Sequence, residues 1–243
     1  VEGTLKKEEL IGIMKDTGFV DVECIGTNHY TTAPTTAGAT FRATKGDENI
    51  KQRHWENVYT TKDVSKVGWY QEAPTISLSL IHKIGSTSKD RFIDVGCGAS
   101  VLVDALIDSG YKDITLLDMS SGALENIKKR LSVTANLPIY CVGDVCTFSS
   151  EKPFDVWHDR AVFHFLQNEE ARQAYLATLY KSLSPEGHAI IGTFGVNGPD
   201  SCSALPVRQY NEERMQHVDF TRSFQPFHKH VSTFSTVNQA VKL

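Results

Sequence analysis

The fold of this chain is set by the stretch Phe92-Ile93-Asp94-Val95-Gly96-Cys97-Gly98-Ala99-Ser100. A short apolar run that ends in an acid and two glycines is typical of a buried strand passing directly into a helix. The dinucleotide fingerprint G-x-G-x-x-G would need a third glycine where Val101 stands, so NAD is not the favoured ligand. Two glycines alone also fit a plain tight turn, and this alternative stays open.

From this stretch onward, short apolar strands alternate with amphipathic helices. The predicted strands cover residues 92–95, 114–117, 138–142, 154–157 and 188–194, and the predicted helices between them cover 101–108, 122–135 and 169–183. Such alternation predicts an α/β fold with a doubly wound, mainly parallel sheet. Ligands of such sheets bind at the carboxyl ends of the strands, near the point where the strand order reverses.

A charged, glycine-containing segment, Lys45-Gly46-Asp47-Glu48-Asn49, predicts a domain boundary between residues 45 and 46. Residues 1–45 are expected to form a helix and a β-hairpin, as a fusion remnant, a sheet-edge element or part of a dimer contact. Residues 46–243 are expected to form the second domain. Its predicted outer elements are helices over 50–62, 73–84 and 211–218, and strand-like stretches over 220–227 and 231–237.

Composition argues against several classes of function. The 25 Lys and Arg against 29 Asp and Glu give a formal net charge of −4, so the chain lacks the positive field that collects nucleic acid. No apolar run approaches the roughly 20 residues that span a bilayer, so a cytoplasmic location without a membrane partner is expected. The 5 cysteines form no C-x-x-C pair, which predicts reduced thiols and no metal site.

Acidic residues stand at the ends of consecutive predicted strands: Asp94, Asp118 and Asp144. A carboxylate at the second strand end can accept two hydrogen bonds from ribose hydroxyls. One at the third can accept the exocyclic amine of adenine, with Val145 along the ring. Asp118 alone also fits a solvated acid at a strand end that caps the helix beginning at Ser120. Together the three acids predict a ligand that contains a nucleoside.

In order and spacing, these motifs resemble those of the class I S-adenosylmethionine (SAM) dependent methyltransferases. The resemblance rests on the D-x-G-C-G turn, the acid closing the second strand, G-D-V after the third, and F-D-V-W-H-D over 154–159. It covers residues 49–237 and implies a Rossmann-like sheet of seven strands and SAM as the cofactor.

Trp55 and Tyr59 also resemble the W-x-x-x-Y pattern of a subgroup whose N-terminal helix closes over the cofactor, although core packing would explain both. The resemblance implies these cofactor-binding residues: Trp55, Tyr59, Asp94, Gly96, Cys97, Gly98, Asp118, Met119, Asp144, Val145 and His158.

The segment after the fourth predicted strand occupies the place where this family puts substrate-facing residues. It departs from the N-P-P-Y pattern that serves amide and exocyclic amine methylation. His164 is a candidate general base and Asp159 a second catalytic candidate, although a histidine between two phenylalanines also fits a core position. The loop over 195–210 is expected to roof the substrate pocket, with Cys202, Arg208 and Tyr210 as contacts.

The resemblance implies transfer of the SAM methyl group to a small-molecule or protein nucleophile by in-line displacement, leaving S-adenosylhomocysteine. Two alternatives stay open. One is a protein lysine methyltransferase, and the other is a non-catalytic module that binds SAM or a partner. A monomer or a homodimer is expected, and turnover with a panel of acceptors would separate the enzyme from the binding module.

Overall fold

The computed structural model describes residues 5–16, 19–28, 36–45, 50–134 and 137–216. The chain divides into two compact units, Val1–Lys51 and Gln52–Leu243. The segment that carries the predicted domain boundary and the strand-like stretches predicted at 220–227 and 231–237 lie outside the described residues. Within the described ranges, no helix combines the length and apolar character needed to cross a membrane.

The described part of the first unit is a helix followed by an antiparallel strand pair. Helix α1 covers Lys7–Asp16, and strands β1 and β2 cover Phe19–Asn28 and Gly38–Lys45. The strand register shifts near Asp21, which has a φ of 52°. A register shift of this kind bends and twists the ribbon locally.

The second unit alternates helices and strands. Its helices are α2 (Ile50–Thr61, which belongs to this unit from Gln52 onward), α3 (Thr75–Lys83), α4 (Leu102–Asp108), α5 (Ser121–Arg130), α6 (Glu169–Ser182) and α7 (Glu212–Gln216). Its strands are β3 (Phe92–Val95), β4 (Ile114–Asp118), β5 (Ile139–Val142), β6 (Phe154–Arg160), β7 (Leu183–Gly192), β8 (Ser201–Cys202) and β9 (Leu205–Pro206). Single 3₁₀ turns cover Val64–Lys66 and Phe163–Phe165.

Five of these strands form one parallel sheet in the order β5-β4-β3-β6-β7. This confirms the predicted α/β fold with a doubly wound parallel sheet. The chain runs from β3 outward through β4 and β5, then returns to the other side of β3 with β6 and β7. The strand order therefore reverses between β3 and β6, and this switch point is where such sheets bind ligands.

Helices cover both faces of the sheet. Neighbouring residues of β3 therefore point into two different apolar cores. Phe92 packs with Leu116 and with residues of α3, α4 and α5 on one face. Ile93 and Val95 pack with Trp157 and residues of α6 on the other face. A strand buried on both faces has a continuous apolar sequence, which is why β3 stands out in the chain.

Strand β7 begins earlier than predicted. Helix α6 passes directly into it at Leu183, so residues 183–187, which precede the predicted strand over 188–194, lie inside the observed strand. Leu183 pairs with Phe154, and after an irregularity the pairing resumes between His188 and Val156. Proline and glycine are tolerated there because the irregularity removes the regular ladder bonds that they would interrupt.

Candidate active site

The turn after β3 brings the backbone close to side chains of other elements. Gly96 and Gly98 have φ angles of 60° and 55°, which residues with a Cβ rarely adopt. A methyl group added at Gly96 would collide with Cγ2 of Val162, and one added at Gly98 would collide with the hydroxyl of Tyr59. The N–H of Gly96 donates to the carbonyl of Leu117 at 2.7 Å, which ties this turn to the end of β4.

Asp118, the last residue of β4, is buried beside this turn. Its Oδ2 accepts the N–H of Gly98 and its Oδ1 accepts the N–H of Ser120, each at 2.8 Å. Burial raises the pKa of Asp118 to about 6, against the lowering effect of these two N–H groups. A carboxylate has about four acceptor positions, so the carboxylate can still accept two further hydrogen bonds.

Asp94 and His158 form a buried pair on the adjacent strands β3 and β6. Nδ1 of His158 donates to Oδ1 of Asp94 at 2.7 Å, and Nε2 lies 2.9 Å from the hydroxyl oxygen of Ser77 on α3. Oδ2 of Asp94 has no hydrogen-bond partner within the described ranges. Both ring nitrogens of His158 thus have partners inside the protein and the imidazole orients Asp94, while its cofactor-binding role stays a prediction.

The end of β5 adds the third acid. The N–H of Gly143 donates to the carbonyl oxygen of Asp118 at 2.9 Å, which brings the two strand ends together. Asp144 is exposed, and its Oδ1 accepts the N–H of Cys146 at 2.8 Å. Val145 is buried and Met119 is half-buried. The residues predicted to bind the nucleoside therefore lie at adjoining strand ends.

Aromatic residues of α2 lie against the glycine turn and the turn after β6. The ring centroids of Trp55 and Phe165 are 5.3 Å apart. Tyr59 packs over Gly98, and its hydroxyl accepts the indole N–H of Trp69 at 3.2 Å. Burial and the charge of Asp118 raise the pKa of Tyr59, so its hydroxyl stays protonated.

Sequence reasoning missed Glu56, which fixes α2 against the N-terminus of α5. Its carboxylate accepts hydrogen bonds from the hydroxyls of Ser120 and Ser121 and from the N–H of Gly122, at 2.8 to 3.2 Å. Burial alone would raise the pKa of Glu56, but these donors hold it below its ordinary value. A negative charge at a helix N-terminus is stabilised by the helix dipole. The sequence offered one indication of Glu56, which is its position within the W-x-x-x-Y pattern, one residue after Trp55.

Asp159, the second catalytic candidate, is fully buried at the end of β6. Its Oδ1 accepts the N–H of Val162 at 2.7 Å. Its Oδ2 accepts the N–H of Phe163 at 3.1 Å and the hydroxyl of Tyr175 at 2.7 Å. Burial raises the pKa of Asp159 to about 6. The carboxylate therefore holds the turn that follows β6, and its catalytic role remains a prediction.

His164, the candidate base, lies in the core with 0% of its surface exposed. Its ring stacks on Phe194 at a centroid distance of 4.7 Å. Neither ring nitrogen has a hydrogen-bond partner among the described residues. Burial lowers the pKa of His164 to about 4, so the ring is neutral and a weak base near pH 7. This environment favours the core alternative, and the general-base role remains a prediction.

The pH dependence of stability, compared between wild type and His164→Phe, tests whether the His164 ring is buried in the core. The unfolded chain binds a proton at His164 near pH 6.5, whereas the native state binds one only near pH 4. Wild-type stability from this group is therefore present above pH 6.5 and is lost as the pH falls to 4. We expect the wild type to lose up to about 3 kcal/mol relative to His164→Phe between pH 7 and pH 4 in urea titrations. Parallel curves would show that the imidazole is hydrated in solution.

The hairpin formed by β8 and β9 reaches α2. Its two turn residues, Ser203 and Ala204, have φ angles of 51° and 61°. The hydroxyl oxygen of Ser203 lies 3.1 Å from Nε2 of His54. The substrate candidate Cys202 is half-buried in this hairpin. Its segment therefore lies beside the helix that carries Trp55.

The end of the same loop lies beside the turn after β6. The N–H of Arg208 donates to the carbonyl of His164 at 2.8 Å, and the Arg208 side chain is exposed. Tyr210 is 2% exposed, with its ring 5.4 Å from that of Phe163, and its hydroxyl has no partner among the described residues. The structure thus brings the two predicted substrate-facing segments together, but Tyr210 belongs to the core packing.

Neither cysteine among the candidate residues is an activated thiol. Burial, aided by Asp118 and Asp94, raises the pKa of Cys97 well above its ordinary value. Burial also raises the pKa of Cys202. Both side chains are therefore protonated thiols near pH 7, which excludes a nucleophilic role in this arrangement.

The strand order and the glycine turn define a Rossmann-like α/β unit. Residues 93–189 match the family described as a methyltransferase domain. This part of the chain is similar to class I SAM-dependent methyltransferase domains.

Curated relatives match about half of this chain at low to moderate identity. Malonyl-acyl-carrier-protein O-methyltransferase of Priestia megaterium is 32% identical over 134 residues, which cover 52% of this chain and 47% of that protein. EEF1A lysine methyltransferase 2 of Danio rerio is 28% identical over 156 residues, which cover 58% of this chain and 66% of that protein. The chain spans about half the length of the first curated relatives it matches.

One solved structure shares the fold with a TM-score of 0.51. It comes from work on the conversion of a disulfide bond into a thioacetal group during echinomycin biosynthesis. The two chains are 20% identical, and the match covers 62% of this chain and 63% of the other. This likeness concerns the fold alone.

Proposed function

We propose that this protein binds SAM at the switch point between β3 and β6 and transfers its methyl group to a nucleophile. The observation that carries the proposal is the buried carboxylate of Asp118, joined to the glycine turn and left with two acceptor positions. A ribose offers two neighbouring hydroxyl donors, which this carboxylate can take up.

The other residues present also fit SAM. Gly96 and Gly98 leave no room for side chains, so the backbone at the switch point lies close to Val162 and Tyr59, where a ligand-binding turn needs glycine. Oδ2 of Asp94 is available to accept the amino group of the cofactor's methionine part. Asp144 and Val145 at the end of β5 supply an acceptor and an apolar contact for adenine. We expect Met119, beside them, to pack on the other face of that ring.

SAM, when bound, supplies an activated methyl group on a sulfonium. The tasks left to the protein are to hold the acceptor in line with that group and to exclude water. Trp55 and Tyr59 on α2, together with the hairpin that reaches His54, support the second task by lying over the carboxyl ends of the strands. The acceptor is proposed to lie between the turn after β6 and the loop that ends at Tyr210.

The acceptor is proposed to be a small-molecule or protein nucleophile. The name of the Priestia megaterium relative describes an O-methyltransferase of a malonyl group on a carrier protein. The name of the Danio rerio relative describes a lysine methyltransferase, which keeps protein lysine as the second candidate. Neither acceptor is carried over as established, because the chain spans only part of each relative.

The decisive experiment combines binding with turnover. SAM binding is measured by calorimetry, and formation of S-adenosylhomocysteine is followed with carboxylic acids, thiols, amines and lysate protein as acceptors. The expected result is SAM binding together with turnover on one acceptor class. Binding without turnover on any class would support the non-catalytic alternative, and absence of SAM binding would overturn the proposal altogether.

A further inference from the structure

Arg160 is the charged residue of the switch point that sequence reasoning did not single out. It is the last residue of β6, one position beyond Asp159, which pairs with Val95 at the end of β3. Alternation along the strand puts Arg160 on the same face as His158, the face on which Asp94 lies. Burial lowers the pKa of Arg160, whereas the charges of Asp94 on this face and of Tyr59 on α2 act to raise it.

The guanidinium has no ion-pair or hydrogen-bond partner among the described residues, although its side chain is largely covered. Asp94 is near enough to act on its charge, but the salt bridge of Asp94 is to His158. Burial lowers the pKa of Arg160, which reflects an unfavourable environment for the cation. By contrast, the buried Arg172 pairs with Glu169 at 2.6 Å and donates to two carbonyls. A half-buried guanidinium that has no protein partner among the described residues can take up an anionic ligand in its place.

The backbone next to Arg160 is also strained. Ala161 has a φ of 79°, a left-handed conformation that costs an alanine about 1 to 2 kcal/mol. The N–H of Ala161 donates to the carbonyl of Gly192 at 2.9 Å, which holds this turn in place. Strained residues of this kind concentrate at functional sites. Here the strain ends β6 at Arg160 and places Val162 over Gly96.

We propose that Arg160 binds a carboxylate at the switch point. A guanidinium fork matches the two oxygens of a carboxylate, which would supply the partner that the described residues do not. A phosphate dianion fits less well, because Asp94 and Asp118 would repel its second charge. This proposal rests on the proposed function, and the carboxylate has two sources there: the methionine part of SAM, or the methyl acceptor.

Binding measurements on Arg160→Gln, Arg160→Lys and wild type separate the two sources. SAM is compared with decarboxylated SAM, which keeps the amine and loses only the carboxylate. On protein saturated with S-adenosylhomocysteine, malonate is compared with malonamide, its neutral counterpart. Lys89→Gln removes an exposed positive charge just before β3, at the opposite end of the strands, and serves as the charge-matched control.

If the cofactor supplies the carboxylate, Arg160→Gln lowers SAM affinity by about tenfold or more and changes the affinity for decarboxylated SAM by less than about twofold. If the acceptor supplies it, SAM affinity is unchanged and malonate affinity falls by about tenfold or more. Arg160→Lys keeps part of either affinity, since it keeps the charge but not the fork. Lys89→Gln behaves as wild type.

The proposal is overturned if Arg160→Gln binds both SAM and malonate with wild-type affinity. It is equally overturned if SAM affinity is unchanged and malonate binds neither to the wild type nor to Arg160→Gln. It is also overturned if charged and neutral probes weaken equally, because that pattern reports general damage to the site. The midpoint of thermal unfolding identifies a misfolded variant, and Arg160→Lys then carries the test. Failure of the wild type to bind SAM would instead remove the proposed function itself.

Discussion

Replacing Asp159 with Ala is expected to destabilise the protein by about 4 kcal/mol. The substitution leaves the N–H groups of Val162 and Phe163 and the hydroxyl of Tyr175 buried without their acceptor. Each unsatisfied buried donor costs about 1 to 3 kcal/mol. Tyr175 in turn accepts the indole N–H of Trp157 at 3.0 Å, so the loss extends into the core behind the sheet. Urea unfolding at pH 7 measures the change.

The matched control is Asp108→Ala, which removes an exposed acid at the end of α4. Its effect should stay within about 0.5 kcal/mol. If Asp159→Ala were as mild as this control, the three donors would have found other acceptors, and the structural role assigned to Asp159 would be wrong. Normal stability combined with loss of turnover would return Asp159 to the catalytic role.

Replacing Asp118 with Ala is expected to weaken SAM binding by about 1.5 to 3 kcal/mol, which is roughly 10-fold to 150-fold in affinity. The carboxylate is the proposed acceptor of both ribose hydroxyls, and alanine offers none. Alanine also releases the N–H of Gly98 and so loosens the turn that faces the cofactor. Calorimetry with S-adenosylhomocysteine measures the affinity without turnover.

Asp118→Asn accompanies this variant, because an amide keeps the size of the side chain and one acceptor oxygen. It should lose affinity with a smaller loss of stability, whereas Asp108→Asn should bind as wild type. Unchanged affinity in a folded Asp118→Ala protein would remove Asp118 from the cofactor site. A loss of affinity in Asp108→Asn as well would mean that the assay reports overall charge.

The sequence identified the residues that end strands, because strand ends are marked by local signals. The apolar run before Asp94 and the glycines after it located β3, its turn and the neighbouring strand-end acids. Partners across the fold were not predictable in this way. Nothing local indicates that both nitrogens of His158 are taken by Asp94 and Ser77, which are far away in sequence. The role of Glu56 depends likewise on where α5 begins.

Burial was also misjudged where a polar residue lies within a loop. Tyr210 was predicted as a polar contact because loops after such strands usually reach the ligand. Its N–H donates to the carbonyl of Phe194, which fixes the ring against Phe163. Arg160 was overlooked because a charge at a strand end ordinarily lies in solvent, and a sequence does not show which such residues another helix covers.

The hairpin tip gives this fold a way to separate ligand exchange from unfolding. Two-residue hairpin turns of this kind favour Asn-Gly, whereas Ser203 and Ala204 hold left-handed conformations at some cost. Strands of two residues contribute few hydrogen bonds, so little opposes the opening of the hairpin and its separation from His54. The central strands β3, β4 and β6 do not take part in this opening, because they are largely buried. We therefore expect acceptor and product to enter and leave on the timescale of loop motion. The part of the site proposed to bind the nucleoside should open only as slowly as the core itself opens.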